Sequence, residues 1–268
     1  MAASPGRRPI SSPGSSTPSD FGRKLYGRRK GPKLSARQEK LRRTLLPALA
    51  LRLVAGLDPR AYFSTSPHGE VGFPVDDVWL EIGFGAGEHL LEQARRHPRV
   101  GLIGAEPYQA GVAKLLSKID QELSSPVRGG GSVATAHRCE GGEAINIRVH
   151  EGDARDILEA LPDASLGRVF LLFPDPWPKT RHHKRRFLQT EMLDRLSRVM
   201  RPGAELRVAS DDAGYVAWTL ERVRAHPDFA WAARCAGDWQ RHPAGWPQTR
   251  YEAKALHGPP AYLRILRV

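Results

Sequence analysis

Cysteine is almost missing from this 268-residue chain: Cys139 and Cys235 stand far apart, with no Cys-x-x-Cys or Cys/His ligand spacing around them. A disulfide-stapled fold and a structural zinc site are therefore not expected, and a reducing compartment is. No apolar run reaches the ~18 residues a membrane-spanning helix needs, and the first residues lack the apolar core of a signal peptide. A cytoplasmic protein without membrane contact is the expectation. Acids are scarce beside bases, 29 against 41, for a formal net charge of +12.

That charge is unevenly placed. Residues 1 to 43 hold twelve Lys or Arg against Asp20 and Glu39, a net +10, which points to a polyanionic partner, nucleic acid ahead of a membrane surface. Twelve of the first 20 residues are Ser, Pro or Gly, a composition expected to be disordered. Residues 21 to 56 read as a basic arm and helix. Phe21 and Tyr26 interleave with its charges, a mixture suited to stacking on bases and meeting phosphates, although a merely solvated tail has the same composition. Ser35 is expected to cap a helix from Ala36, with Leu41, Leu45, Leu46 and Leu49 on one side and Pro47 as a kink. That helix would seat the arm on the rest of the chain.

With 40% hydrophobic residues, the remainder can bury an ample core. After a loop-like stretch at 57 to 77 comes VWLEIGFGAGE at 78 to 88, an apolar strand running into a glycine-rich turn and then a helix. The dinucleotide fingerprint needs a third glycine where Glu88 stands, so a nicotinamide cofactor loses support. Acid-x-Gly-x-Gly-x-Gly closing a first strand resembles motif I of the class I S-adenosylmethionine-dependent methyltransferases. It also fits an α/β turn that binds nothing.

The chain then alternates. A helix at 88 to 97 is ended by Pro98, and a strand at 100 to 105 leads to Glu106, placed to accept hydrogen bonds from a ribose diol or to cap the next helix. A helix at 109 to 123 is followed by a Gly- and Ser-rich stretch, 124 to 142, taken as an inserted surface loop. A third strand ends at Gly152-Asp153-Ala154, where Asp153 suits either an adenine amine or a helix cap. A fourth strand, 168 to 173, opens into PDPWPKTRHHKRR. Pro174, Pro176 and Pro178 hold that loop extended and present Asp175 and Trp177, the latter to stack on a base or to pack as support. The run Lys179, Arg181, His182, His183, Lys184, Arg185 and Arg186 suits phosphates. Adjacent histidines point apart and have no partner at ligand spacing, so no metal is expected. A helix at 187 to 200 ended by Arg201-Pro202-Gly203, a strand at 205 to 209 closed by Ser210, Asp211 and Asp212, a helix at 213 to 225, and strands at 229 to 234 and 261 to 268 complete the pattern. An α/β, doubly wound, mostly parallel sheet with an antiparallel edge is expected.

Together LEIGFGAGEH, GAEP, GDA, LLFPDPWPKTRHHKRR, SDD and TRYE resemble the bacterial tRNA (guanine-N7)-methyltransferase family across roughly residues 25 to 268. The proline-rich loop with its basic run is the most specific part. The resemblance implies a seven-stranded, Rossmann-like domain over residues 57 to 268, S-adenosylmethionine as cofactor, and tRNA as substrate, methylated at N7 of guanine 46. It makes Glu81, Gly83, Glu106, Asp153, Ala154 and Asp175 cofactor-contacting and Asp175 catalytic. Lys179, Asp211, Thr249, Arg250, Tyr251 and Glu252 match its substrate-contacting positions. No obligate protein partner is implied. A noncatalytic RNA-binding protein on the same fold, or a methyltransferase of DNA or a small molecule, are the competing readings; the acids at successive strand ends and the basic run weigh against them.

Overall fold

The computed structural model of the chain describes residues 31–64, 74–124, 136–139, 142–249, 252–254 and 257–268. The expected tail at 1 to 20, Phe21 and Tyr26, and the site candidates Arg250 and Tyr251 lie outside them.

Ser35 caps α1 (Ala36–Thr44) as its sequence predicts: its hydroxyl accepts from the Gln38 N–H at 3.3 Å and the Gln38 side chain accepts from the Ser35 N–H at 3.1 Å. Pro47 starts a new turn rather than continuing the old one, so a separate α2 (Leu46–Leu49) follows. Leu41 and Leu49 are buried, while Leu45 and Leu46 pack at the same cluster's edge. Arg37 reaches Asp120 at 2.6 Å and Arg42 reaches Glu151 at 2.5 Å, so the arm's last helix is fastened to the domain.

The strands are β1 (Asp77–Ile82), β2 (Val100–Ala105), the hairpin β3 (Ala136–Cys139) and β4 (Gly142–Ile145), then β5 (Ile147–His150), β6 (Leu166–Leu172), β7 (Met200–Ser210), β8 (Phe229–Trp231) and β9 (Ala261–Arg267). Seven form one sheet in the order β5-β2-β1-β6-β7-β9-β8. The first five in that order run parallel, and β9 is antiparallel to both neighbours. Apolar residues on both faces of β1 and β6 explain this, since parallel strands need cover on both sides. Val78, Leu80, Val169, Leu171, Leu206 and Val208 join one cluster with residues of α5 (Ala154–Ala160), α6 (Thr190–Val199) and α7 (Ala213–Ala225). Trp79, Leu102 and Phe170 join the other, with α3 (Glu88–Arg96) and α4 (Gln109–Ser124). After β1 the chain winds first toward β5 and then back through β6, which leaves a crevice beyond the C-terminal ends of β1 and β6.

Four local expectations change. The segment before β1 is not all loop: Asp58 caps a 3-10 turn at Pro59–Phe63, and buried Phe63 packs where Gly101 leaves room, since a Cβ there would sit 2.3 Å from the ring. The 124 to 142 stretch contains the antiparallel β3-β4 pair rather than loop alone. The helix expected from 187 begins at Thr190, after Gln189, whose side-chain amide donates back to the carbonyls of His183 and Arg186. Residues 201 to 203 lie inside β7 instead of ending a helix; Leu166 pairs with Met200, and the register then shifts before Arg168 pairs with Glu205.

Phe170 is fully buried at the middle of the sheet, with ring contacts to Trp79, His89 and Trp246. Phe170→Ala should lower the urea-unfolding free energy by about 3–5 kcal/mol, whereas Val54→Ala, at a half-exposed site, should change it by no more than about 0.5 kcal/mol.

Candidate active site

The crevice holds a cavity of about 560 Å³ whose wall includes Gly83, Glu106, Asp153, Ala154 and Asp175, gathered from the ends of β1, β2, β5 and β6. Gly83, Gly85 and Gly87 all have positive φ (73°, 58° and 75°), so the turn after β1 uses backbone that other residues enter only with strain. Nothing lies within 4 Å of where a Gly83 Cβ would point, which leaves that stretch of wall open to a ligand. At Gly111 on α4 a Cβ would meet the Gly85 carbonyl oxygen at 2.4 Å, so a second glycine lets the helix lie against the turn.

Glu106 is buried, and its two oxygens accept from the N–H groups of Gly85 (2.7 Å) and Tyr108 (2.8 Å). Burial raises its pKa above the ordinary carboxylate value, aided by the charges of Glu81 and Asp175 and opposed by the two N–H donors. Asp153 fills the capping role its sequence allowed: it accepts from the Arg155 N–H at 3.0 Å and binds the Arg155 guanidinium, while still lining the cavity. Glu81 does not line the cavity. Its place on β1 directs it toward α3, where His89 Nδ1 lies 2.8 Å from its carboxylate and both side chains are buried.

Asp175 is exposed at the cavity rim and has no hydrogen-bond partner among the described residues. Phe173 and Trp177 on either side take φ of 49° and 44°, an unusual pair that costs of order 1–3 kcal/mol each. Two anchors hold the loop there. The Phe173 N–H donates to Ala209, and Arg186 donates from Nε to the Pro176 carbonyl at 2.8 Å. Arg186 is thus a correction to the basic run: it is 3% exposed, its guanidinium 5.4 Å from the Tyr215 ring and 5.2 Å from the Trp218 ring. In the 3-10 turn Thr180–Arg185 side chains three apart share a face: Arg181 and Lys184 are exposed, as is Lys179 just before the turn, while Arg186, extended just after it, is buried. Arg185 lies over Trp177, 4.8 Å from its ring centre, and both line the cavity.

Lys179 lies off the cavity wall at the start of that turn, and Asp211 accepts from the His257 N–H at 3.2 Å. Thr249 and Glu252 bond reciprocally, backbone to side chain, at 3.2 and 3.3 Å. Buried Glu252 also accepts from the Tyr262 hydroxyl and lies 3.2 Å from His242 Nε2, so it fastens its own segment. Among the described residues no cluster of His, Cys, Asp or Glu is arranged to hold a metal, and no helix is long and apolar enough to cross a membrane.

A family model described as "Putative methyltransferase" matches residues 76–262. A Rhodospirillum rubrum protein named tRNA (guanine-N(7)-)-methyltransferase is 49% identical over 251 residues, covering 91% of this chain and 88% of that protein. Proteins of the same name from Chelativorans sp. and Azorhizobium caulinodans are 45% and 42% identical, each over 91% of this chain and 95% of theirs. The chain belongs to the tRNA (guanine-N7-)-methyltransferase family. Its seven-stranded, mostly parallel sheet with an antiparallel edge is the doubly wound arrangement expected from the sequence.

Several residues of this family member's cavity were missed in the sequence: Tyr108, Gly111, Lys114 and Phe187 on the wall, and His89 behind Glu81. Only Gly111 carried a signal, as a glycine inside a helix. The others reach the site from elements whose packing no local pattern encodes.

Because its pKa is raised in the fold, Glu106 holds its proton more tightly folded than unfolded. Its contribution to stability is present on the acid side and is lost as pH rises through the folded pKa. Glu106→Gln should therefore gain thermal stability relative to wild type as pH climbs above the ordinary carboxylate range, in melts taken across pH 4 to 8. Parallel pH profiles for the two proteins would refute the burial argument.

Proposed function

We infer that this chain transfers the methyl group of S-adenosylmethionine to N7 of guanine in tRNA, at position 46 of the variable loop. The observation that carries the reading is the juxtaposition, across one cavity, of a glycine turn with an open wall at Gly83 and a rigid loop presenting Asp175. Membership of a family whose curated relatives bear that name supports the substrate.

When bound, the cofactor supplies a methyl group on a sulfonium. Gly83 and the turn after it would cradle its amino-acid part. Each Glu106 oxygen accepts a single N–H bond and keeps a lone pair for a ribose hydroxyl. Asp153 and Ala154 would close the wall around the adenine, with Asp153 facing its exocyclic amine. Glu81 acts from behind, stiffening the end of β1 through His89.

Guanine N7 carries an in-plane lone pair and no hydrogen. The new carbon–nitrogen bond forms as the carbon–sulfur bond breaks, with its electron pair left on sulfur, and no proton leaves the attacking atom. A general base is not required. Positive charge passes to the purine, and the Asp175 carboxylate favours it there while accepting from the guanine edge. Its work is positioning and electrostatic, and the strained, anchored loop keeps it preorganised. Lys179, Arg181 and Lys184 offer charge to phosphates beside the rim, and Asp211, Thr249, Arg250, Tyr251 and Glu252 would complete the nucleotide's surroundings. The basic arm leaves the described fold close by: Gly31 lies so near Tyr108 on the cavity wall that a Cβ would be 2.4 Å from its hydroxyl.

Incubation with S-adenosylmethionine and unmodified tRNA should make the RNA cleavable by borohydride and then aniline at one guanine, since N7 methylation leaves that ring cationic and reducible. Consumption of cofactor without a new cleavage site would mean another atom is methylated, and binding without consumption would mean a noncatalytic RNA binder. Asp175→Ala should cut turnover by about 10²–10³-fold with an unchanged melting temperature. A folded variant of near-normal turnover would remove the role given to Asp175. Deleting residues 1 to 30, which contain seven Lys or Arg and one acid, should weaken tRNA binding and flatten its dependence on salt in filter-binding titrations. An unaltered slope would make the arm a passive tail.

A further inference from the structure

A second cavity, of about 670 Å³, opens on the α3 side of the sheet, walled by Gln93, Arg96 and His97 at the end of α3, by Gly237 and Asp238 of α8 (Gly237–Gln240) and by residues 241 to 246 after it. Its floor is charged where the neighbouring part of the same sheet face is aromatic. Strand register sets Arg168 beside Glu205 and Arg207 beside Arg264. Glu205, 8% exposed, is shared three ways: Oε2 lies 3.0 Å from both Arg168 and Arg207, and Oε1 lies 2.6 Å from Arg264. One carboxylate among three guanidinium groups leaves positive charge unbalanced.

Nearby acids offset part of it: Arg96 pairs with Glu92, and Asp238 on the same wall keeps its negative charge while accepting from the N–H groups of Arg234 and Cys235, but Arg241 is exposed there as well, so cations still outnumber acids around the cavity. Arg168 Nε is buried with no hydrogen-bond partner among the described residues, its guanidinium 4.1 Å from the Trp79 ring centre. A purely structural ion cluster gains little over apolar packing, and this one faces an open cavity instead of being sealed. Guanidinium forks match phosphate oxygens. Trp246, Tyr262 and His242 supply rings on the same wall, and the volume exceeds what a lone phosphate needs.

From this arrangement we propose that the second cavity binds a phosphate-bearing nucleotide, supplied by the backbone of the RNA substrate at a distance from the reacting guanine. The proposal rests on the RNA reading above. Arg168 and Asp175 are seven residues apart along β6 and its exit, about 20 Å of extended chain, so the phosphate held here belongs to another part of the RNA. The two places are mechanically joined. His242 and Tyr262 line the second cavity and also hold Glu252, in the segment proposed to surround the target nucleotide.

The test uses the full-length protein with S-adenosylhomocysteine at saturation, which fills the first cavity. AMP and inorganic phosphate are titrated by calorimetry, and tRNA by filter binding at several salt concentrations, into wild type, Arg241→Glu, and Arg207→Gln with Arg241→Glu. The single variant, at an exposed position, carries the test if Arg207→Gln disturbs Glu205 and the fold. The expected result is AMP binding in wild type that the variants lose, about tenfold weaker tRNA binding, and a salt slope smaller by about one for each phosphate no longer held. S-adenosylhomocysteine affinity and kcat at saturating tRNA should stay unchanged. AMP binding with an unaltered tRNA affinity and slope would show a free nucleotide as the occupant and overturn the RNA assignment. No binding of AMP or phosphate by wild type, with tRNA affinity and slope unaltered in the variants, would overturn the site altogether. Absence of methyl transfer by wild type would count against the proposed reaction and leave these binding results standing.

Discussion

The close approach of α4 to the turn after β1 is the contact on which the site depends. Gly85 gives its N–H to Glu106 and sets its carbonyl where Gly111 alone leaves space, so the turn, the carboxylate at the end of β2 and the first turn of α4 form one unit. A methyl group at position 111 would force those pieces apart. The left-handed angles at Gly83, Gly85 and Gly87 follow from the same geometry, because backbone must pass between a strand end and a helix start while still facing the cavity.

Across the crevice, rigidity is obtained by a different route. Two residues outside glycine hold left-handed backbone around Pro174-Asp175-Pro176, which the chain would not adopt without support. That support is Arg186, buried against Tyr215 and Trp218 and bonded to the Pro176 carbonyl. Its desolvation lowers its pKa from the ordinary arginine value. An arginine can serve there because its planar cation stacks on rings and donates along a fixed direction at once. One member of a run that reads as uniformly basic is in this way structural, while Lys179, Arg181 and Lys184 remain exposed to solvent.

The sheet face on the α3 side changes character halfway along. Over β1 and the middle of β6 it carries Trp79 and Phe170, packed against His89 and Trp246. Toward β7 and β9 it carries Arg207, Glu205 and Arg264. Trp246 stands at the boundary, touching Phe170 and His89 on one side and Tyr262 on the other. It ties the chain that follows, with Thr249 and Glu252, to the Glu81–His89 pair behind the glycine turn.

Strand and helix alternation, the capping of α1 by Ser35, the turn of Gly83, Gly85 and Gly87, and the acids at strand ends were legible in the sequence, because each rests on local physics: periodicity, caps, and the conformational freedom of glycine and restriction of proline. The family was legible too, since its most specific signal, the Pro-Asp-Pro-Trp loop with its basic run, is contiguous. Which charges face outward depends on packing in three dimensions. Glu81 turns to His89, Glu252 to Tyr262 and His242, and Arg186 to Tyr215 and Trp218, each partner arriving from an element that the local pattern does not mention. The second cavity was invisible for the same reason: Arg168, Glu205 and Arg264 become neighbours through strand register, and register is set by how the whole sheet buries its apolar side chains.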